Sequence, residues 1–298
     1  MIMKLERFFG RYRLFVVIYL KALNIISKTD DSVRKLFGKK PILPRLEYHV
    51  SEQCNLNCKS CFHFSNLVSS NEFPDFNSFS KDLYRLRDMF DNIRVIRFLG
   101  GEPLLNPQLP LFIEEARKVF PKAKINLLTN GMLFERIDGQ LSDTIKTCNA
   151  AVKVSLYKPL VNRKDEIKQF FKIAGIKFSI SNPILYFGKH LNPAGSSKPK
   201  DSVKQCHASR CTFLKNGFLA RCPMPFNIKH FNSHFGHSVS MGHELIDIHN
   251  VMADGYNIKA VLRQPMDSCR FCGKVEWVPW EQSDTGNGPA KIEDYVCA

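Results

Sequence analysis

Short apolar runs alternate with amphipathic stretches through the first two thirds of the chain. The apolar runs have the length of buried strands and lie at 46–50, 93–99, 124–128, 151–157 and 177–181. Stretches with apolar residues at helical spacing lie between them, at 79–90, 110–120 and 162–174. Strands that alternate with helices predict an α/β fold with a parallel sheet of about five to six strand–helix units.

The N-terminal residues 3–28 also have helical spacing, with apolar residues on one face and Lys and Arg on the other. Their longest apolar run, 14–20, is too short for a membrane span, which takes roughly 20 residues. Residues 1–45 carry 11 Lys and Arg against 3 Asp and Glu. This basic helix either packs on the rest of the protein or makes a peripheral contact with anionic lipid or a partner, and the sequence leaves both open.

The chain has 298 residues and a net charge of +15, but its ten cysteines change the picture more than its charge does. They are clustered and follow no secretory signal, which indicates a reducing cytoplasmic setting and metal binding rather than disulfides. The basic charge is concentrated at one end instead of running along aromatic surfaces. A nucleic-acid partner is therefore not expected.

Three cysteines, Cys54, Cys58 and Cys61, have C-x3-C-x2-C spacing directly after the first predicted strand. Three thiolates turned to one point suit an iron–sulfur cluster better than structural zinc, which takes four ligands. The segment resembles the cluster loop of the radical SAM superfamily, in which S-adenosylmethionine (SAM) binds the open iron of a [4Fe–4S] cluster. The resemblance implies a partial, open TIM-like barrel, an external flavodoxin- or ferredoxin-like electron donor and radical hydrogen abstraction.

Further segments resemble the SAM-binding motifs of that superfamily. Gly100-Gly101-Glu102 follows a predicted strand, and the resemblance assigns it to the SAM amino group. The resemblance also implies that Phe62 lies near the adenine and that Ser155 contacts the ribose. Asn130 either binds the carboxylate or ribose of SAM or only forms an Asn-Gly turn. Each of these segments lies near the C-terminal end of a predicted strand, where ligands of parallel sheets bind.

A second group of cysteines lies in the last third of the chain. Its spacing resembles the twitch extension, a short relative of the SPASM domain, and implies that an auxiliary [4Fe–4S] cluster is held by Cys206, Cys222, Cys269 and Cys272. Asn216-Gly217 lies between two apolar runs and predicts a β-hairpin there. Cys211 is expected to be a spare thiol or to replace Cys206, and a structural zinc is the alternative for the whole group.

These observations predict three parts: a basic helix and linker at 1–44, a radical SAM partial barrel at 45–200 and an auxiliary-cluster region at 201–298. The function expected from the resemblance is two-electron oxidation of a small sugar- or cyclitol-like molecule. A peptide-modifying maturase or epimerase is the alternative enzyme, and an electron-transfer or zinc-binding protein is the alternative without SAM chemistry. Four residues are candidates for removing the substrate proton: Lys153, Tyr157, His207 and Arg210.

Overall fold

A computed structural model of the chain describes residues 30–68, 72–206, 211–241, 244–250, 254–283 and 288–297. The predicted N-terminal helix at 3–28 and the candidates His207 and Arg210 lie outside these residues. None of the helices in the described ranges is long and apolar enough to cross a membrane.

The described strands are β1 (Ile42–Leu43), β2 (Leu46–Ser51), β3 (Asn92–Ile93), β4 (Val95–Gly100), β5 (Lys124–Thr129), β6 (Ala151–Val154), β7 (Lys177–Ile180), β8 (Tyr186–Leu191), β9 (Phe213–Lys215), β10 (Phe218–Ala220), β11 (Ile246–Asp247) and β12 (Cys272–Pro279). The described helices are α1 (30–36), α2 (Phe76–Met89), α3 (Leu109–Val119), α4 (Gly139–Thr147), α5 (Lys164–Ile173), α6 (Pro199–Gln205), α7 (Met224–Phe235) and α8 (Gly255–Arg263).

The central sheet has eight strands in the order β11-β10-β9-β2-β4-β5-β6-β7 and is not closed into a barrel. The six strands from β9 to β7 are parallel, while β10 and β11 are antiparallel at one edge. This confirms the predicted α/β fold with an open, mostly parallel sheet. Helices α2, α3, α4 and α5 are the crossover connections between the parallel strands from β2 to β7.

One face of the sheet is buried, and its apolar residues are the ones from which the strands were predicted. Ile96, Phe98, Ile125 and Leu127 are almost fully buried, and with the apolar sides of the crossover helices they form the main core. Helix α2 begins where the Asp75 side chain accepts a hydrogen bond from the Ser78 amide, a typical N-cap. Burial of alternate strand residues thus determines which side chains point to the opposite face.

The opposite face of the sheet is polar. Glu47, Arg97 and Asn126 are neighbours across three strands, and Arg97 Nη1 donates to Glu47 Oε1 at 3.1 Å. One step further along the strands, Lys153 is paired with Ser179. A face of this kind, half-buried and lined by hydrogen-bonding groups, suits a polar ligand better than an apolar one.

The predicted hairpin consists of β9 and β10, with Asn216 and Gly217 both at positive φ, 49° and 78°. Its first strand pairs with β2, so the central sheet continues past residue 200, where the sequence analysis divides the chain. The proposed division into three ranges stays a prediction. A separate pair of antiparallel strands, β8 and β12, lies outside the central sheet.

The segment around residue 230, which is rich in histidine, is a helix. Helix α7 carries His230 and His234 and ends at Gly236, which has the left-handed φ of 65°. Its buried residues include Met224, Ile228 and Phe231, which pack in a second core with Phe64 and Tyr295. The helical spacing of these apolar residues is masked in the sequence by the polar residues between them.

Candidate functional site

The loop that carries the first three cysteines is fixed at its base by the end of β4. The Gly101 amide donates to Ser51 O at 2.9 Å, and the Glu102 amide donates to Gln53 O at 2.7 Å. A Cβ at Gly100 would lie 2.1 Å from Ser51 O, and one at Gly101 would lie 1.9 Å from Gln53 O. Only glycine allows this close approach of two backbones, so the glycine pair is required by the loop itself.

Residues 54–61 turn back on themselves through residues in the left-handed region. Asn57 and Ser60 have φ values of 48° and 58°, and Phe64 follows at 55°. Cys58 is buried, and Cys54 and Cys61 are half-buried. These turns bring the three thiols together beside Leu56 and Trp280.

Burial raises the pKa of all three thiols, to about 12 for Cys54, and the negative charge of Cys61 raises the pKa of Cys54 and Cys58 further. Three acidic groups packed together in this way need a positive partner to lose their protons, and a bound metal cluster supplies one. Three thiolates suit a [4Fe–4S] cluster with one open iron better than structural zinc, which takes four ligands.

Glu102 lies beneath the loop and is fully buried. Its carboxylate accepts hydrogen bonds from Thr129 Oγ1 at 2.7 Å, the Asn130 amide at 2.8 Å and the Leu104 amide at 3.0 Å. Burial raises the pKa of Glu102 to about 7, and the three hydrogen bonds oppose that rise.

The Asn130 side chain joins the end of β5 to the cysteine loop. Its Nδ2 lies 3.4 Å from Cys54 Sγ and 2.8 Å from Asn55 Oδ1, and its Oδ1 accepts from the Met132 amide. The Asn-Gly turn and a contact to the cluster loop are therefore both present. Ser155 lies at the same edge, where its amide donates to Thr129 O.

The C-terminal segment at 280–283 contacts the cysteine loop on the side away from Asn130. The Lys59 amide donates to Glu281 O at 2.9 Å, and the Ser283 amide donates to Asn57 O at 2.8 Å. The indole Nε1 of Trp280 donates to Cys58 Sγ at 3.2 Å. More than 200 residues separate the two partners, so no local sequence pattern predicts this contact.

The second group of cysteines lines one open cavity. Cys206 follows α6, Cys222 lies between β10 and α7, and Cys269 and Cys272 flank the turn before β12. Burial raises the pKa of Cys222 well above its ordinary value, and the charges of the other three cysteines raise it further. The four thiols predicted to hold an auxiliary cluster are thus neighbours, and four thiolates also suit zinc.

The two cysteine groups are linked by Phe62, the residue after Cys61. Its side chain lines the cavity of the second group and packs on His190, with ring centroids 4.7 Å apart. This places Phe62 between the two groups. Its predicted contact with adenine stays a prediction.

The remaining candidates lie in different places. Cys211 is beside Arg45 and Glu47, where burial raises its pKa to about 12, and it does not line the cavity of the four. Tyr157 packs on Trp280, with ring centroids 5.6 Å apart, and burial raises its pKa well above the ordinary value. Lys153 lies on the polar face of the sheet. Their chemical roles stay predictions.

Comparison with known proteins agrees with this geometry. The family model of the radical SAM superfamily matches residues 48–175, which include the cysteine loop, the glycine pair and Asn130. Residues 48–175 are a radical SAM domain. This finding confirms the coarse form of the resemblance seen in the sequence, while the twitch-like region lies outside the matched range.

Curated relatives share only part of the chain. Molybdenum cofactor biosynthesis protein 1 of Dictyostelium discoideum is 36% identical over 120 residues, which cover 37% of this chain and 19% of the relative. GTP 3′,8-cyclase of Helicobacter pylori is 24% identical over 157 residues, which cover 48% of each protein. The chain therefore spans at most about half the length of these relatives.

Solved structures with a similar arrangement include BtrN in complex with AdoMet and 2-DOIA. That chain is 18% identical, with a TM-score of 0.48, and the match covers 79% of this chain and 94% of the other. SuiB of Streptococcus suis bound to S-adenosylmethionine is also 18% identical, with a TM-score of 0.39, and the match covers 51% of this chain and 37% of the other.

A buried polar network beside the radical SAM loop was not found from the sequence. Glu52 accepts from Lys215 Nζ at 2.7 Å and lies 3.2 Å from His230 Nε2. On the same side, His63 Nδ1 lies 2.6 Å from His49 Nε2. These residues come from four separate segments, and their polar types gave no signal that they would meet.

We expect Gly101→Ala to disrupt the cysteine loop. The added Cβ would overlap Gln53 O, so the backbone hydrogen bond between Glu102 and Gln53 must break, at a cost of more than ~3 kcal/mol. Anaerobic iron analysis after reconstitution should show about four irons fewer per chain than the wild type. Gly139→Ala is the control for backbone strain without a clash, because Gly139 has a positive φ of 43° but a Cβ there meets no atom within 4 Å. Equal iron content in both variants would contradict the assignment.

The buried carboxyl of Glu102 predicts a pH dependence in the iron-free protein. The folded state keeps this proton up to about pH 7, whereas the unfolded carboxyl loses it near 4.5, so stability should fall as the pH rises between these values. The loss should reach up to roughly 3 kcal/mol, and Glu102→Gln should remove it. Urea unfolding at pH 5 and pH 7.5 measures both proteins. The same pH dependence in wild type and variant would show that Glu102 is not its source.

Proposed function

We propose that this protein is a radical SAM enzyme with two [4Fe–4S] clusters, one that cleaves SAM and one auxiliary. The proposed reaction is a two-electron oxidation, or dehydrogenation, of a small sugar- or cyclitol-like molecule. One observation carries the proposal: four cysteines distant in sequence line one cavity, and Phe62 of the radical SAM loop forms part of its wall. This arrangement supports an electron acceptor close to the SAM site.

The first cluster would be held by Cys54, Cys58 and Cys61. When bound, it supplies the electron that cleaves SAM and so generates a radical able to take a hydrogen atom from the substrate. Radical SAM enzymes receive that electron from an external donor. The chain's own contribution is to hold the three thiols at one place and to surround them with apolar side chains.

The SAM molecule would lie along the edge formed by Gly100, Gly101, Glu102, Asn130 and Ser155. Support comes from the position of these residues around the base of the loop. The three donors bound to Glu102 hold its carboxylate in one orientation at the base of the loop. Asn130 would fix the loop relative to β5.

The auxiliary cluster would be held by Cys206, Cys222, Cys269 and Cys272. A cluster with four thiolate ligands has no open iron, so its chemistry would be to accept one electron from the substrate radical rather than to bind the substrate. The cavity suits a charged cluster because Arg221 lies in its wall, with Nη1 held by Leu262 O and Gln264 O. That guanidinium also lowers the pKa of Cys269 against the effect of burial.

The substrate would need to lose one proton as well as one hydrogen atom. Lys153 and Tyr157 are the described candidates for taking the proton, and His207 and Arg210 are the candidates outside the described residues. Lys153 is supported by its place on the polar face of the sheet. That face also supports a hydroxyl-rich substrate, because Arg97 and Asn126 lie in the neighbouring strands.

A second candidate reaction comes from the names of the curated relatives. Because several are GTP 3′,8-cyclases, GTP is the other substrate to assay, although the matched part is half of the H. pylori protein.

The peripheral membrane contact of residues 3–28 stays a prediction, since those residues lie outside the described chain.

The auxiliary site predicts a specific loss in a Cys206/Cys222/Cys269/Cys272→Ala variant. Its iron content should fall from about eight to about four per chain, while the reduced protein keeps an EPR signal that shifts when SAM is added. With an amino- or hydroxyl-cyclitol panel, this variant should still form 5′-deoxyadenosine and should lose the oxidised product. Iron analysis, EPR and mass spectrometry give the three readings.

Two other variants serve as controls for that experiment. Cys211→Ala should keep about eight irons, because Cys211 lies outside the cavity wall. Cys54/Cys58/Cys61→Ala should keep about four irons but form no 5′-deoxyadenosine. A wild-type protein with about four irons, or with zinc at the second site, would contradict the proposed electron acceptor and with it the oxidation.

A further inference from the structure

The C-terminal segment at 280–283 is hydrogen-bonded to residues 56–59 of the radical SAM loop. In addition to the backbone hydrogen bonds of Lys59 and Ser283, the Gln282 side chain donates to Leu56 O at 2.8 Å. The Cα positions of Cys58 and Gln282 face each other in an antiparallel bridge. The central cysteine of the loop is therefore covered by a segment from the other end of the chain.

Trp280 adds a side-chain contact to this pairing. Its indole N–H, which can only donate, points to Cys58 Sγ at 3.2 Å, and its ring is 8% exposed. Tyr157 and Phe187 pack around it, and its amide donates to Leu185 O at 2.9 Å. The donor is thus held at the sulfur by contacts on several sides.

A donor at a cluster sulfur and an apolar cover have opposite effects on reduction. Reduction adds one negative charge to a cluster that is already anionic through its thiolates. A hydrogen bond to the sulfur stabilises that added charge and raises the reduction potential, whereas exclusion of water lowers it. In Trp280 the N–H provides the first effect and the ring provides the second, so the two can be separated by mutation.

We propose that the Trp280 indole N–H raises the reduction potential of the cluster held by Cys58, so that the C-terminal segment controls how readily this cluster accepts its electron. The inference rests on the proposed function of the loop. The step itself is a one-electron reduction: one electron passes from an external reductant to the cluster, and no proton or bond is exchanged. The indole N–H stays on Trp280 throughout.

Trp280→Phe tests this proposal, because it removes the N–H and keeps an aromatic cover. The matched control is Trp277→Phe, since Trp277 is 66% exposed on β12 and makes no described hydrogen bond to a cysteine. EPR-monitored redox titration of the reconstituted holoproteins gives the midpoint potential of the SAM-responsive cluster. We expect the midpoint potential of Trp280→Phe to shift by ~59 mV to more negative values, which corresponds to a tenfold smaller equilibrium constant for the one-electron reduction. An unchanged potential would overturn the proposal.

A second measurement needs no change at Trp280. The chain has two tryptophans, so Trp277→Phe protein labelled with indole-¹⁵N carries the label at Trp280 alone. Pulsed EPR of its reduced cluster should detect a ¹⁵N hyperfine coupling, and its absence would show that the indole does not reach the cluster sulfur. A loop that binds no iron would overturn the proposed function itself, whereas a SAM-responsive cluster with no coupling and no shift would overturn only this inference.

Discussion

The close approach of two backbones at the end of β2 and β4 is the constraint on which the site depends. Gly100 and Gly101 lie so near Ser51 and Gln53 that any side chain would overlap a carbonyl oxygen. This contact fixes the start of the cysteine loop relative to the sheet. It also brings Glu102 under the loop, where Thr129 and Asn130 hold it from the next strand. One steric requirement thereby links three successive strand ends.

Two parts of the chain far apart in sequence complete the site. The radical SAM domain provides the loop and the predicted SAM edge, and the segment at 280–283 closes the loop from outside. Phe62 follows Cys61 in the loop and also lines the cavity of the second cysteine group. The proposed oxidation depends on this proximity, because an electron acceptor is useful only near the place where the substrate radical forms.

The open, mostly parallel sheet could be predicted from the sequence because each strand and crossover helix has a local period that burial enforces. The hairpin could be predicted because Asn216 and Gly217 tolerate the positive φ of its turn. The glycine pair stands out in the sequence through its predicted contact with SAM, whereas its neighbour in the structure is the loop backbone. Helix α7 was missed because histidines and asparagines fall between its buried apolar residues.

Contacts between distant segments could not be predicted in this way. The hydrogen bond of Trp280 to Cys58, and the network of Glu52 with Lys215 and His230, depend on how separate elements pack, and no local pattern encodes them. The polar residue types show only that each needs a partner when buried. Cysteine spacing was more informative because the chemistry of clusters restricts which thiols must converge.

The central claim is that the loop at 54–61 supports reductive cleavage of SAM, and the formation of 5′-deoxyadenosine tests it most directly. Reconstituted protein with dithionite and SAM should release 5′-deoxyadenosine and methionine in equal amounts. A Cys58→Ala variant should release neither. Wild-type protein that carries its full iron content, responds to the reductant and still forms no 5′-deoxyadenosine would contradict the account.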